Sequence, residues 1–187
     1  MPRGGRRPWQ NGARGLQLIR VWRICSRRIA KQAFTGEGAR LFPGRWNERG
    51  VPVVYTAESL ALAVLEMLVH TSPELLPRDL VFIPADIPSR VRIQKIESSE
   101  LPRDWRVYPA PLSLQSIGSE WLRSRRSAVL SVPSAVVPQE RCILLNPLHA
   151  KFSQIEIGKP QRLTLDPRRT LCSLDSKRPL PCYIRRI

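Results

Sequence analysis

Histidine is nearly missing from this chain: His70 and His149 are the two in 187 residues. Its four cysteines, Cys25, Cys142, Cys172 and Cys182, show no paired metal-ligand spacing. So short a supply of donors argues against a structural zinc site, and no metal is expected. Cysteines scattered without a framework suit a reducing compartment, so a cytoplasmic protein is expected. No apolar run is long enough to span a bilayer. The basic N-terminus lacks the apolar segment that a secretory signal needs. Two catalytic signatures are missing as well. No G-x-S-x-G elbow surrounds a serine, and no glycine loop ends in the lysine–serine pair of a triphosphate cradle. Acidic residues are scarce, 15 against 31 Lys and Arg, giving a net charge of +16. Residues 1–20 and 167–187 each carry +5, which leaves +6 for everything between. A moderately basic body fits an anionic small molecule as well as it fits nucleic acid.

What the chain does hold is concentrated between Gly36 and His70. A glycine-rich polar loop carries Arg40, Arg45 and Trp46, the β-branched run 51–55 follows, and then an apolar helix from about Ala57 to His70. Thr56 is expected to cap this helix, with Glu58 in the first turn near the positive end of the dipole. Leu60, Ala61, Ala63, Val64, Leu65, Met67, Leu68 and Val69 leave almost no polar face, and a helix apolar all round is buried. Glu66 interrupts it. An unpaired carboxylate there would cost several kcal/mol, roughly, so Glu66 must have a partner or line a cleft. Two readings stand: a Glu66–Arg pair that merely ties helix to sheet, or a carboxylate that does chemistry.

A chain of 187 residues suits one domain. Residues 1–17 have no periodicity and read as a disordered basic extension, while 169–187 read as an irregular basic tail. Between them, strands are expected at Leu18–Ile24, 51–55, Asp79–Ile87, Arg90–Glu97, 128–138, Arg141–Pro147, Phe152–Ile157 and Arg162–Asp166. Arg23 lies inside the first, facing away from Trp22. Lys31 to Asn47 and Leu101 to Pro111 read as loops, and Ser72–Pro77 as a turn. A second amphipathic helix is expected over Ser113–Arg126, with Ile117, Trp121 and Leu122 as its stripe. Ser134 sits between Pro133 and Pro138 at a sheet margin, better placed to hydrogen-bond than to attack. Short strands and two helices in mixed order make the fold class α+β, one domain on a mixed sheet.

Several segments, in this order, resemble the RES domain, the toxin component of RES–Xre toxin–antitoxin modules. They are VWRI at 21–24, the stretch 34–70, VPSAVVP at 132–138, LLNP at 144–147 and LDPR at 165–168. The resemblance covers the body from 18 to 168. The family takes its name from an Arg, a Glu and a Ser, which carry over as Arg45, Glu66 and Ser134. An arginine of the first strand and a tyrosine after the glycine loop match Arg23 and Tyr55. The resemblance implies a fold like the ADP-ribosyltransferases and NAD+ as substrate, broken down by phosphorolysis or hydrolysis, with phosphate as a possible co-substrate. Transfer of ADP-ribose to a protein is the alternative within the family. A basic nucleic-acid-binding protein without catalysis is the alternative outside it. The implied partner is an Xre-type helix-turn-helix antitoxin in an oligomeric complex, with neither direct nucleic-acid contact nor a membrane. Two positions depart from the pattern: Ile24, where some members have a pocket tyrosine, and Cys142, where asparagine is common. Neither is expected to touch the named triad.

The chemistry of these residue types agrees with that implication. Arginines offer forked donors to a pyrophosphate, Tyr55 offers a ring for nicotinamide, and Glu66 can stabilise positive charge on the ribose. Ser134 can orient the nicotinamide-side ribose or amide. Because 1–17 and 169–187 lack core-building periodicity, a chain cut to 18–168 is expected to keep a nearly unchanged thermal midpoint. A large drop on trimming, measured by calorimetry, would show that the ends pack on the body.

Overall fold

The structure, a computed structural model, describes residues 18–71 and 76–166. The readings made for 1–17, for 169–187 and for most of the turn at Ser72–Pro77 lie outside the described residues. Eight strands form one sheet: β1 (Leu18–Ser26), β2 (Val54–Ala57), β3 (Leu80–Pro88), β4 (Ile93–Lys95), β5 (Val129–Pro133), β6 (Arg141–Leu145), β7 (Glu156–Ile157) and β8 (Gln161–Arg162). Their order is β4-β5-β6-β2-β1-β3-β7, with β8 also on β3. β4 and β5 run parallel and the other pairs antiparallel. Three α-helices are present among the described residues: α1 (Glu37–Leu41), α2 (Leu60–Val69) and α3 (Leu112–Ser124). The α+β class and the mixed sheet are therefore as the sequence pattern implies.

The pairing is uneven, and that shapes the molecule. β1 pairs with β3 along its whole length, from Leu18↔Pro88 to Ser26↔Leu80. Against β2 it has the single register pair Trp22↔Ala57. The sheet is thus zipped on both sides of a seam that is held at one point. Alternation along the strands sorts the core into two faces. Val129, Ile143 and Leu145 join Val21, Val54 and Ile83 in one cluster. Leu130, Val132 and Leu144 join Trp46, Trp105, Leu114 and Trp121 in another. A third, smaller cluster lies under α2, where Leu62, Ala63 and Ala57 meet Trp22, Ile24 and Cys142.

Several expectations need correction. The α2 helix starts at Leu60 rather than Ala57, because Thr56 and Ala57 are spent in β2. Its cap is Ser59, whose Oγ accepts from the Leu62 N–H at 3.0 Å, whereas the Thr56 hydroxyl donates to the Ile143 carbonyl at 2.6 Å. Nor is the helix buried all round. A single helix on a sheet covers one stripe, and Leu65 and Val69 remain 42% and 61% exposed. The expected strand Phe152–Ile157 is mostly a 3-10 turn (Ala150–Gln154), leaving Glu156–Ile157 extended. The strand expected over 51–55 shifts to 54–57, that at Arg90–Glu97 shrinks to Ile93–Lys95, and that at Arg162–Asp166 is displaced to Gln161–Arg162. The glycine loop contains the short helix α1, which its glycines disguise.

One glycine fixes how closely α3 packs on the rest. A Cβ at Gly118 would stand 2.0 Å from the carbonyl oxygen of Trp46. Backbone cannot give way as a side-chain tip can, so α3 lies against the segment carrying Arg45 only because that position has no side chain. Gly118→Ala is expected to destabilise the protein by at least about 1–3 kcal/mol, the usual range for overpacking. A urea midpoint equal to wild type would contradict that packing.

Candidate active site

Two side chains distant in sequence meet at the seam's α2 side. Ser134 follows the last residue of β5 and is completely buried. Its backbone N–H bonds the Glu140 carbonyl at 3.0 Å, closing the turn between β5 and β6. Its Oγ accepts from the N–H groups of Val136 and Val137 at 3.1 and 3.0 Å. With those lone pairs used, the hydroxyl proton is aimed at Glu66 Oε1, 2.6 Å away. Cys142 Sγ donates to the same oxygen at 3.2 Å. Both neutral donors thus converge on Oε1, while Oε2 lies 3.9 Å from His70 Nε2. Burial and the neighbouring Glu66 carboxylate push the Cys142 thiol far up, so it stays protonated and a donor.

The start of α2 is bound to the same turn. The Arg141 N–H bonds Glu58 Oε1 at 2.6 Å and the Glu58 N–H bonds the Arg141 carbonyl at 3.1 Å. The capping Ser59 also donates to Glu140 Oε2 at 2.9 Å. Glu58, read in sequence as a dipole partner, is instead a rivet between helix and turn.

The glycine loop brings Arg45 into this neighbourhood. Asn47, fully buried, organises the loop. Its amide donates to the carbonyls of Ala39 and Val51 at 2.8 and 3.0 Å, and its Oδ1 accepts from the Gly44 N–H at 2.9 Å and from the Tyr55 hydroxyl at 2.8 Å. That hydroxyl also accepts from the Trp46 N–H at 3.0 Å. Tyr55 is therefore braced against the loop, close enough that a Cβ at Gly44 would stand 2.7 Å from its oxygen. Burial raises the phenol pKa, which keeps this donor protonated. Arg45 Nη1 donates to the carbonyls of Trp105 and Val107 at 2.6 and 3.1 Å. Partial burial lowers its pKa, and the nearby Glu66, Tyr55 and Cys142 act in the opposite sense. Arg23 reaches the group through the backbone: its Nη1 donates to the Tyr55 carbonyl at 2.8 Å. Its Nε is buried with no hydrogen-bond partner among the described residues.

Of the residues singled out in sequence, Glu66 and Ser134 are in direct contact, Arg45 and Tyr55 stand beside them, and Arg23 approaches from the seam. Cys142 corrects the expectation that it would miss the triad, since it touches Glu66. The signal for it was present, because β-alternation puts Cys142 on the face of Leu144, toward α2. Asn47 and His70 carried no such signal. Among the described residues no group of His, Cys, Asp or Glu could hold a metal ion, and no helix is long and apolar enough to cross a membrane. A thiol whose pKa is raised this far is nearly all neutral at pH 8 and reacts slowly. Cys142 is expected to resist alkylation by iodoacetamide at that pH until the protein is unfolded. Rapid native labelling, mapped by mass spectrometry, would contradict the placement.

The RES domain pattern matches residues 20–166. A protein named Toxin Res from Yersinia enterocolitica is 37% identical over 149 residues, spanning 79% of this chain and 97% of its own. The Prs ADP-ribosylating toxin of a Sphingobium species is 38% identical over 151 residues, spanning 79% and 94%. A chain of the M. tuberculosis MbcT–MbcA toxin–antitoxin complex superposes with a TM-score of 0.63 at 18% identity, over 79% of this chain and 85% of that one. That last likeness shows a shared fold, the mixed-sheet α+β domain described above. With the pattern running from β1 past β8 and relatives matched along nearly their whole length, the chain belongs to the RES domain family.

Proposed function

We propose that this protein is a toxin enzyme that consumes NAD+ by breaking the bond between nicotinamide and ribose. The observation that carries the reading is the Glu66 carboxylate. One of its oxygens is held by Ser134 and Cys142, and the other lies 3.9 Å from His70 Nε2 on a side chain that keeps 24% of its surface exposed, with Arg45 close by. When the C1′–N bond breaks, its electron pair leaves with neutral nicotinamide and positive charge grows on the ribose. A carboxylate fixed in place before that charge appears stabilises it without reorganising. Neutral donors on Oε1 orient Glu66 and leave its negative charge uncancelled, as an arginine partner would not.

The pyrophosphate falls to the arginines. Arg45 keeps Nε and its second terminal nitrogen without protein partners among the described residues. Arg23 has a buried Nε–H lacking an acceptor. Leaving such a donor unmade is costly, and a phosphate oxygen would satisfy it. Tyr55, held rigid through its hydroxyl, offers its ring to nicotinamide, and Ser134 sets the carboxylate's orientation. Phosphate or water takes up the ADP-ribosyl cation in this reading. A protein side chain is the second reading, favoured by the name of the Sphingobium relative. A toxin that empties a cell of NAD+ must be silenced in the cytoplasm where it is made. We infer an Xre-type helix-turn-helix antitoxin that covers the cleft mouth near Arg45 in an oligomeric complex, in keeping with the toxin–antitoxin complex that shares this fold.

Incubating the protein with NAD+, with and without phosphate, and identifying the products tests the reaction and its acceptor together. Glu66→Gln keeps shape and removes charge. It is expected to lower kcat by on the order of a hundredfold or more while NAD+ binding survives, because the cation exists only near the transition state. Arg45→Ala is expected to weaken NAD+ binding first, by about tenfold or more, as for a lost charged hydrogen bond. Turnover of NAD+ by Glu66→Gln at the wild-type rate would reduce Glu66 to a structural partner.

A further inference from the structure

The loop from Leu101 to Pro111 is tied to the site by Arg45 and, through Arg106 Nε to the Ala135 carbonyl at 3.1 Å, by the turn after Ser134, and it carries a ring with no role in the packing. Arg45 grips this loop by the carbonyls of Trp105 and Val107. Trp105 itself is buried in the core, whereas Tyr108 is 77% exposed. The Tyr108 ring lies 6.2 Å from that of His70, centroid to centroid, at an interplanar angle of 41°. His70 Nε2 in turn lies 3.9 Å from Glu66 Oε2, the oxygen that Ser134 and Cys142 leave alone. Carboxylate, imidazole and phenol follow one another outward from the site.

We propose that Tyr108, backed by His70, is a substrate-binding residue: the outer wall against which the nicotinamide ring of NAD+ packs. The proposal rests on the NAD+ reading and adds to it which residues recognise the leaving group. If Glu66 Oε2 faces the anomeric carbon, the ring joined to that carbon must lie within about one ring width of it. On the α2 side His70 Nε2 stands 3.9 Å from that oxygen, and the Tyr108 ring lies 6.2 Å from the imidazole centre, where it can meet the outer face of the nicotinamide. Before cleavage the nicotinamide is a planar cation, and the face of a phenol attracts a planar cation. After cleavage it is neutral and that attraction weakens, which favours release. Tyr55 and Tyr108 then have different tasks. Tyr55 is braced by Asn47 and Trp46 as the inner, fixed ring. Tyr108 is the outer ring, placed by the same Arg45 that serves the phosphates.

The test compares wild type, Tyr108→Ala and Tyr108→Phe in steady-state NAD+ consumption, with nicotinamide and ADP-ribose each used as a product inhibitor. Tyr108→Ala is expected to raise KM for NAD+ about fivefold, the upper size of an exposed cation–π contact, and to weaken inhibition by nicotinamide. Inhibition by ADP-ribose and kcat should stay near wild type, and Tyr108→Phe should bring KM and nicotinamide inhibition back to wild type. Unchanged inhibition by nicotinamide in Tyr108→Ala overturns the proposal. Equal weakening for nicotinamide and ADP-ribose overturns it too, since that marks a displaced loop rather than a lost wall. If wild-type protein leaves NAD+ untouched, the fault lies in the NAD+ reading, and the proposal falls with it.

Discussion

Everything at the candidate site depends on how weakly β1 and β2 are joined. Nine register pairs hold β1 to β3 and four hold β2 to β6, but one pair, Trp22↔Ala57, holds β1 to β2. Backbone groups along such a seam still need partners, and the Arg23 guanidinium supplies one by bonding the Tyr55 carbonyl. A zipped seam would leave no room for a buried arginine with a donor to spare. The seam also lets the glycine loop close against Tyr55 and lets α2 lie along β1 with Glu66 at the opening. One under-paired register thus hands a backbone carbonyl to an arginine side chain.

Desolvation sets what Glu66 requires: a carboxylate in an apolar helix needs a partner or an opening. The structure gives it both. The partners are a hydroxyl and a thiol on one oxygen rather than a cation, which separates the two readings that the sequence left standing. Neutral donors hold the group in place without quenching it. Had Arg45 been bonded directly to Glu66, the pair would have read as a tie between helix and sheet. Instead Arg45 is drawn aside by two loop carbonyls and remains a neighbour of Glu66 rather than its partner.

Legibility followed locality. The β3 strand, the amphipathic α3 and the position of Ser134 at the end of β5 were readable because period and proline punctuation are local properties. The beginning of α2 was misread because Thr56 and Ser59 are equally good caps, and the choice between them was made by pairing with Ile143, 87 positions away. The inner stripe of α2 was readable and its exposed outer stripe was not, since composition alone does not say how many elements will cover a helix. Arg45, Glu66 and Ser134 are singled out by residue type and resemblance, and the structure brings Glu66 and Ser134 into contact with Arg45 nearby. Cys142 was legible from strand alternation alone, whereas Asn47 and His70 make contacts that no spacing in the chain announces. Asn47 in particular sits next to Arg45 in the same motif, yet its task of folding the loop around itself appears only in its hydrogen bonds.

The rivets between the start of α2 and the turn after Ser134 bear on which parts of the cleft can move. Glu58 and Ser59 are bonded to Arg141 and Glu140, and the Glu140 carbonyl holds the Ser134 N–H. Helix, turn and the first residues of β6 therefore travel as one rigid jaw that carries Glu66, Ser134 and Cys142 in fixed relation. The glycine loop is fastened in its turn to α3, where Ser119 and Arg123 hold Glu48 and Gln115 holds the Gly44 carbonyl. The 101–111 segment joins the two sides: Arg45 grips the carbonyls of Trp105 and Val107, Trp105 is buried in the core, and Arg106 Nε donates to the Ala135 carbonyl at 3.1 Å, one residue past Ser134. A ligand that pulled on Arg45 would therefore act on a segment bound to both walls, and the turn beside Glu66 would feel that pull through Ala135.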